Sequence, residues 1–426
     1  MKPTTSNTTP PQHTHPSTPK ATAEVIVREA SSPKELRRFA RFGNDLYRHC
    51  PQYVPDLEMD IIQSFSPKHN PGLSFARAVP FLAWREGKCV GRVAAIINHR
   101  ANERWHTRTV RFGMFDFIDD LAVSSALLEK VAQWGKAQGM EQIEGPLGIT
   151  DFDKEGMLIS HFDRLSQIIT YYNHPYYPQH MEQLGYKKVA DWVQIRLTIP
   201  AEVPERYLKT SRLLQQMLSC HVRVLTKREV RQEWGQRIFA LLNEAYAPLF
   251  GFSEISPDQV QTFINTYLPL LDTRMMPVVV NDKGELLAAA VTMGSLSTSM
   301  QRTHGRLFPF GWAHLLWQIK VHHADTVDLM LIGVRPDLQG MGLTALIFSY
   351  LIPLYREMGF RYAETGPQLE DNTKELSQWK YLEHEYIKRR RCWSRRLFSL
   401  GVTDPLVSLR PHIMHNRPNM HNRPII

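Results

Sequence analysis

Cysteine is scarce in this chain: Cys50, Cys89, Cys220 and Cys392 are the four in 426 residues, with no C-x-x-C pair and no histidine at ligand spacing. A disulfide framework and a structural zinc site are thereby excluded, and a reducing cytoplasm is the expected compartment. Long apolar runs are missing as well. The longest nearly apolar stretch, 345–355, is too short to span a bilayer and contains Ser349 and Pro353. Residues 1–22 form a Thr/Pro tract without the apolar segment of a secretory signal. Acidic residues are absent from 386–400, where Lys388, Arg389, Arg390, Arg391, Arg395 and Arg396 stand together. Most of the formal charge of +9 lies in that segment and the two tails, so residues 23–385 are near neutral. A nucleic-acid-binding fold with an extended basic face is not expected.

What is present is an ordinary globular composition, 43% hydrophobic and 22% charged, long enough for two domains. The tails, 1–22 and 401–426, cannot bury enough apolar surface to order themselves. The second repeats MHNRP at 414–418 and 420–424. Its His412, His415 and His421 read as a solvated tail, and no metal is expected.

Between the tails the chain repeats its own order of elements. A short β run leads into a helical pattern at 25–47 and again at 221–246. Two strands then flank a charged Gly turn, FLAWREGKCVGRVAAII at 81–97 and PVVVNDKGELLAAAVTM at 277–293. A further strand follows, TVRFGMFDF (109–117) or TVDLMLIGV (326–334), then a long helix and a strand ending in Gly-Pro, MEQIEGP (140–146) or FRYAETGP (360–367). Two similar α/β units are expected, 23–200 and 201–400.

The halves differ at the strand-to-helix junction. The second reads Val334 to Thr344, VRPDLQGMGLT, where Gly340 and Gly342 permit close backbone approach and the helix start presents unpaired N–H groups. That is the physics of a pyrophosphate cradle. The first half has Asp119 and Asp120 there and no glycine, so it would repel a phosphate.

Gln339, Gly340, Met341, Gly342, Leu343 and Thr344 resemble the acyl-CoA-binding motif of GNAT acyltransferases, Q/R-x-x-G-x-G/A, with Thr344 departing from the last position. Gly145, Pro146, Asp151 and Gly156, the YYNHPYY cluster (171–177), RLFPFGW (306–312) and LEDN (369–372) extend the resemblance. Together they are similar to a tandem GNAT-like bacterial family grouped with the bacterial ceramide synthases, over roughly 23–396. The resemblance implies two GNAT-like units of mixed, mostly antiparallel sheet flanked by helices, the first degenerate and the second binding acyl-CoA. It implies transfer of an acyl group from a CoA thioester to an amine, such as a long-chain sphingoid base. An N-acetyltransferase of a small amine, a tRNA-dependent aminoacyl or peptidyl transferase, and a non-catalytic CoA-binding peripheral protein are the alternatives.

The acyl-CoA co-substrate would lie against Val334, the 339–344 turn and Asn372, with the thioester between the strands near 332–334 and 361–367. Asp328, Glu364, Glu370 and Asp371 are the candidate bases, because an attacking amine must be neutral. Tyr381 stands nearest the family's thiolate-protonating tyrosine. For the acceptor, Phe308, Trp312 and Leu316 in the insertion at 304–320 offer an apolar wall, and Tyr172 and Tyr176 an aromatic one. His304, His314, His322 and His323 receive no role. Asp151, Asp153 and Glu155 read as a solvated turn lacking a full calcium loop. Trp393, Leu397 and Leu400 share a helical face beside the 386–400 cations, so contact with an anionic membrane on its cytoplasmic face is one expectation for that segment. A final basic strand at the sheet edge is the other.

Overall fold

The computed structural model describes residues 23–306, 311–320 and 324–397. Phe308 and Leu400 lie outside them. Fourteen strands form one sheet. The first unit contributes β1 (Ile26–Glu29), β2 (Ala76–Arg85), β3 (Lys88–Asn98), β4 (Thr109–Phe117), β5 (Gln142–Gly145), β6 (Met157–Ser160) and β7 (Lys187–Thr198). The second contributes β8 (Cys220–Arg223), β9 (Val278–Asn281), β10 (Leu286–Gly294), β11 (Thr326–Val334), β12 (Tyr362–Thr365), β13 (Gln368–Leu369) and β14 (His384–Arg396). The spatial order is β1-β2-β3-β4-β5-β14-β7-β12-β11-β10-β9-β8, with β6 on β14 and β13 on β7.

Each unit runs antiparallel until one parallel step, β4 to β5 and β11 to β12. Those steps are bridged by the Leu121–Lys136 and Leu343–Glu357 helices, since parallel neighbours need a long crossover. The second helix is apolar almost all round and buries nine side chains, because the Glu205–Leu218 helix covers the face that the sheet does not. The Gly-Pro pairs end both parallel ladders: β5 stops at Gly145 before Pro146, and β12 at Thr365 before Gly366 and Pro367. Proline has no N–H to continue a ladder, so the two strands part beyond it.

Each unit supplies a strand that pairs with the other's sheet. β14 pairs with β5, Trp393 opposite Gly145, and β7 pairs with β12, Thr198 opposite Tyr362. β14 and β7 then pair with one another along most of their lengths. The helical reading is corrected here over 386–396, and so is the edge-strand one: that stretch is an interior strand, and 398–400 lie outside the described residues. Trp393 and Leu397 are buried in the first unit's core. Backbone pairing on both sides outweighs a helical pattern whose polar face would have no solvent. Its cations are largely committed inside the protein. Arg391 holds Asp191 bidentately at 2.8 and 2.9 Å, Arg389 reaches Asp191 and Glu370, and Arg395 reaches Glu129. Burial would raise the Asp191 pKa, but Arg391, Lys188 and Arg389 outweigh it and hold the carboxyl below its usual value. Among the described residues no helix is long and apolar enough to cross a membrane.

Candidate functional site

The 339–344 turn is exposed at the end of β11. Gly340 and Gly342 have φ of +86° and +96°, a region that favours glycine, and a Cβ on Gly342 would meet Thr210 Cγ2 at 2.9 Å. The helix that follows starts at Leu343 with no side-chain cap, so its first N–H groups are left for a ligand. Gln339 folds back on the turn, its Nε2 donating to the Val334 carbonyl at 3.3 Å. The turn therefore fits a pyrophosphate. In the first unit the same place is closed. Asp120 caps the helix, accepting from Ala122 N at 2.9 Å, and is itself held by Arg85 at 2.6 Å.

Inward from the turn, β11 carries a bulge at Met330: Val291 of β10 faces Leu331 and Thr292 faces Leu329. The last bond from the β12 side is Gly366 N to Leu329 O at 3.1 Å. Beyond it the β12 side of β11 is open, and Ile332 turns its polar groups to Tyr246. The Tyr246 hydroxyl donates to the Ile332 carbonyl at 3.0 Å and accepts from its N–H at 3.3 Å. The matching gap in the first unit is filled by the aromatic cluster. Tyr176 donates to Phe117 O at 2.6 Å, and Tyr177 and Tyr171 accept from Phe117 N and Met114 N.

The open gap leads into a cavity of about 570 Å³ between the two units. Its walls are mostly apolar, with Phe152, Phe239, Phe263 and Tyr267 among the lining rings and Met330–Ile332 at the β11 end. Phe239 and Phe263 stack at 5.8 Å, and Phe152 stands 5.8 Å from Phe239. The expected solvated turn at 151–155 is corrected: it forms the cavity's first-unit wall. Asp153 is exposed to the cavity rather than to bulk water. Burial raises all three carboxyls, Asp151 to about 6 and Glu155 well above its ordinary value. Among the described residues no group of three or more His, Cys, Asp or Glu is placed to hold a metal ion.

The residues singled out from the sequence are only partly brought together. Val334 ends β11 and the 339–344 turn follows it after a short helical turn at Pro336–Leu338, and Asn372 lines the cavity. Asp328 and Glu364 are register partners on β11 and β12, but they lie behind the cavity wall in a buried polar cluster. There Arg390 Nε donates to Gln194 Oε1 at 2.9 Å, Gln194 Nε2 to Gln167 Oε1 at 2.7 Å, and Gln167 Nε2 to Asp328 Oδ1 at 3.1 Å. Burial, then the nearby Glu364 charge, pushes Asp328 up to about 7. Burial brings Lys388 down to about 8 and Arg390 to about 9. Glu370 is spent on Arg389 and Lys188, and Asp371 is exposed away from the cavity. Tyr381 packs beside the Leu343–Glu357 helix with Arg206 4.2 Å above its ring.

The acceptor-wall residues fall differently from expectation. Tyr172 and Tyr176 pack into the first unit's core and do not reach the cavity. Trp312 points outward, 48% exposed, and the Gly311–Lys320 helix presents Leu315 to the cavity instead. The side chain of Leu316 lies outside the described residues. Sequence reasoning missed Tyr246, Gln368 and Glu375, which all line the cavity at the gap. The signal for Glu375 was its place three residues after Asn372, which reads as a helix cap.

The fold, mostly antiparallel sheet that parts at a gap in the second unit, is the one found in GCN5-related N-acetyltransferases. No family model matches the chain. It is 28% identical to Protein YghO of Escherichia coli (strain K12) over 382 residues, 87% of this chain and 95% of that one. It is 26% identical to the bacterial ceramide synthase of Caulobacter vibrioides over 356 residues, 82% and 92% of the two chains. The GCN5-related glucosamine N-acetyltransferase region of a fungal multi-domain GH3 β-N-acetylglucosaminidase superposes with a TM-score of 0.52 at 13% identity. That match covers 88% of this chain and 38% of that one, and shows the shared fold. A tandem GNAT protein from the clavulanic acid biosynthesis pathway covers 89% of this chain and 99% of its own at a TM-score of 0.49 and 13% identity. Over most of its length the chain is therefore similar to these two bacterial proteins, one of them named a ceramide synthase.

Proposed function

We propose that this protein is an acyl-CoA-dependent N-acyltransferase of the cytoplasm whose acceptor is a long-chain amine. One observation carries the reading: a single strand, β11, joins the open glycine turn to an apolar cavity of about 570 Å³. A CoA pyrophosphate on the 339–344 turn would let the pantetheine arm follow β11 inward to the gap. Acyl-CoA, when bound, supplies the activated thioester. The chain's own residues bind and orient it, exclude water, and offer backbone N–H groups of the parted strand to the oxyanion. The ceramide-synthase name of one relative supports a lipid amine, as does the mostly apolar lining of the cavity. Each buried methylene of such a chain contributes ~0.8 kcal/mol, so chain length is selected strongly.

The first unit serves as scaffold and as half of the cavity wall; its own cofactor position is closed by Asp120 and the tyrosines. The test is thiol release from acyl-CoA by the full-length protein, with a long-chain sphingoid base and with a short polar amine. Preferential turnover of the long-chain amine is expected. Faster turnover of the short amine would overturn the lipid acceptor, and no binding of CoA would overturn the acyltransferase.

A further inference from the structure

Among the carboxylates that could take a proton from the attacking amine, the four expected from the sequence all sit behind the cavity wall or outside it. We propose that Glu375, set in the cavity wall beside the parted strands, is the general base of the transfer, with Gln368 and Asn372 as its positioning residues. The proposal rests on the acyltransferase reading above.

The Glu375 charge acts on Tyr246, whose hydroxyl holds Ile332 at the gap. Glu375 lines the same cavity as Met330, Ile332 and Gly366. Its two oxygens are aimed by two amides: Oε1 accepts from Gln368 Nε2 at 2.6 Å, and Oε2 from Asn372 Nδ2 at 2.8 Å. Gln368 cannot turn over, because its own Oε1 accepts from the indole N–H of the buried Trp379 at 3.0 Å and its backbone is paired with Val193 of β7. A carboxylate has about four lone-pair positions, so the two amides fix its plane and leave capacity for a donor from the cavity.

A capping role alone does not account for this arrangement. In a capping box the glutamate returns to the backbone N–H of the cap residue. Here it bonds two side-chain amides instead, and the Glu375 N–H meets Asn372 Oδ1 at a long 3.4 Å. Burial raises the Glu375 pKa above the usual carboxylate value, and the Gln368 bond pulls it back in part. The titratable groups sharing its surroundings are Tyr246, whose pKa burial and the Glu375 charge raise, and Asp151 across the cavity. A base closer to neutral loses less driving force in taking an amine proton.

The step balances without another reagent. A long-chain ammonium first releases one proton to solvent. The neutral nitrogen then forms the C–N bond to the thioester carbonyl carbon, and its remaining excess proton passes to Glu375. The C–S bond breaks with its electron pair on sulfur, and Glu375 returns the proton to the thiolate. The products are the amide and the free thiol, with Glu375 again a carboxylate.

The test compares full-length wild type, Glu375→Gln and Glu375→Asp for kcat against pH, KM for acyl-CoA and melting temperature. Glu375→Gln is expected to lower kcat by roughly 10²–10⁴-fold, to leave the KM for acyl-CoA within about twofold, and to abolish the acidic limb of the profile. Glu375→Asp should keep the limb at an intermediate rate. A Glu375→Gln protein turning over within about threefold of wild type, its acidic limb intact, would overturn the assignment while leaving the acyltransferase standing. So would loss of activity only in proportion to loss of folded protein. A wild type that releases no thiol with any amine would overturn the acyltransferase reading, and this one with it.

Discussion

The hydroxyl of Tyr246 holds both backbone polar groups of Ile332, three residues beyond Leu329, where β12 stops pairing with β11. A tyrosine from a helix thus substitutes for a missing strand where β11 and β12 part. If a pantetheine arm follows β11, it must compete with that hydroxyl.

Tyr246→Phe separates the two roles. Leaving the Ile332 N–H and C=O without a partner costs about 1–3 kcal/mol, so the free protein should melt at lower temperature. CoA should bind more tightly, because the backbone groups no longer have to be released. Calorimetry of unfolding and titration with CoA check both signs. Unchanged affinity would mean that the arm does not use Ile332.

Thr344→Glu tests the cradle without straining a glycine. A carboxylate in the first turn of the Leu343–Glu357 helix favours the helix by about 0.3–1 kcal/mol, so stability should hold or rise. The same charge opposes a pyrophosphate, and CoA affinity should fall at least about tenfold, a loss of about 1.4 kcal/mol. Ala122→Glu, at the closed first-unit turn, should leave CoA affinity unchanged. Equal effects at both positions in a binding titration would remove the asymmetry between the units.

Asp328 predicts a pH dependence of stability. Its folded pKa, about 7, lies above the unfolded value of about 3.9. The folded state therefore binds the extra proton, and the stability this confers is complete below the unfolded value and lost as pH rises through about 7. Urea midpoints measured from pH 4.5 to 8 should fall with pH more steeply for wild type than for Asp328→Asn. Parallel curves would place the ionisation elsewhere in the cluster.

Val291→Phe fills part of the cavity from the β10 side, where Val291 is half-buried and lines the wall. The ring has space to enter, so the melting temperature should change little. The preferred chain length of the amine should shorten, read from kcat/KM across a homologous series. An unchanged preference would show that the chain lies outside this cavity.

The repeated order of strands and helices was legible because its marks are local: charged Gly turns, apolar alternation, and Gly-Pro at the end of β5 and β12. The glycine turn was legible for the same reason. The place of β14 was not, since nothing within YIKRRRCW names β5 and β7 as its neighbours, and the run of cations suggested solvent. Only the partners, Asp191 above all, explain how Arg389 and Arg391 can sit there. Trp312 and Leu315 belong to one apolar stripe in sequence, and the cavity's position decides which of them faces inward. Glu375 was hidden in a helix-start signature, and Tyr246 finds its partner 86 residues away.

The crossing of β7 and β14 sets an order of events during synthesis. β7 leaves the ribosome before any of the second unit, and β14 after nearly all of it. Until β14 arrives, β5 lacks one neighbour and β7 can pair only with β12 and β13, so the middle of the sheet presents unpaired edges. The N-terminal unit cannot finish folding by itself in the usual vectorial way. Its last strand is delivered by the C-terminal unit, and both close in the same step. A nascent chain stalled before 384 should therefore be a target for chaperones and proteases although all of its first 200 residues have been made.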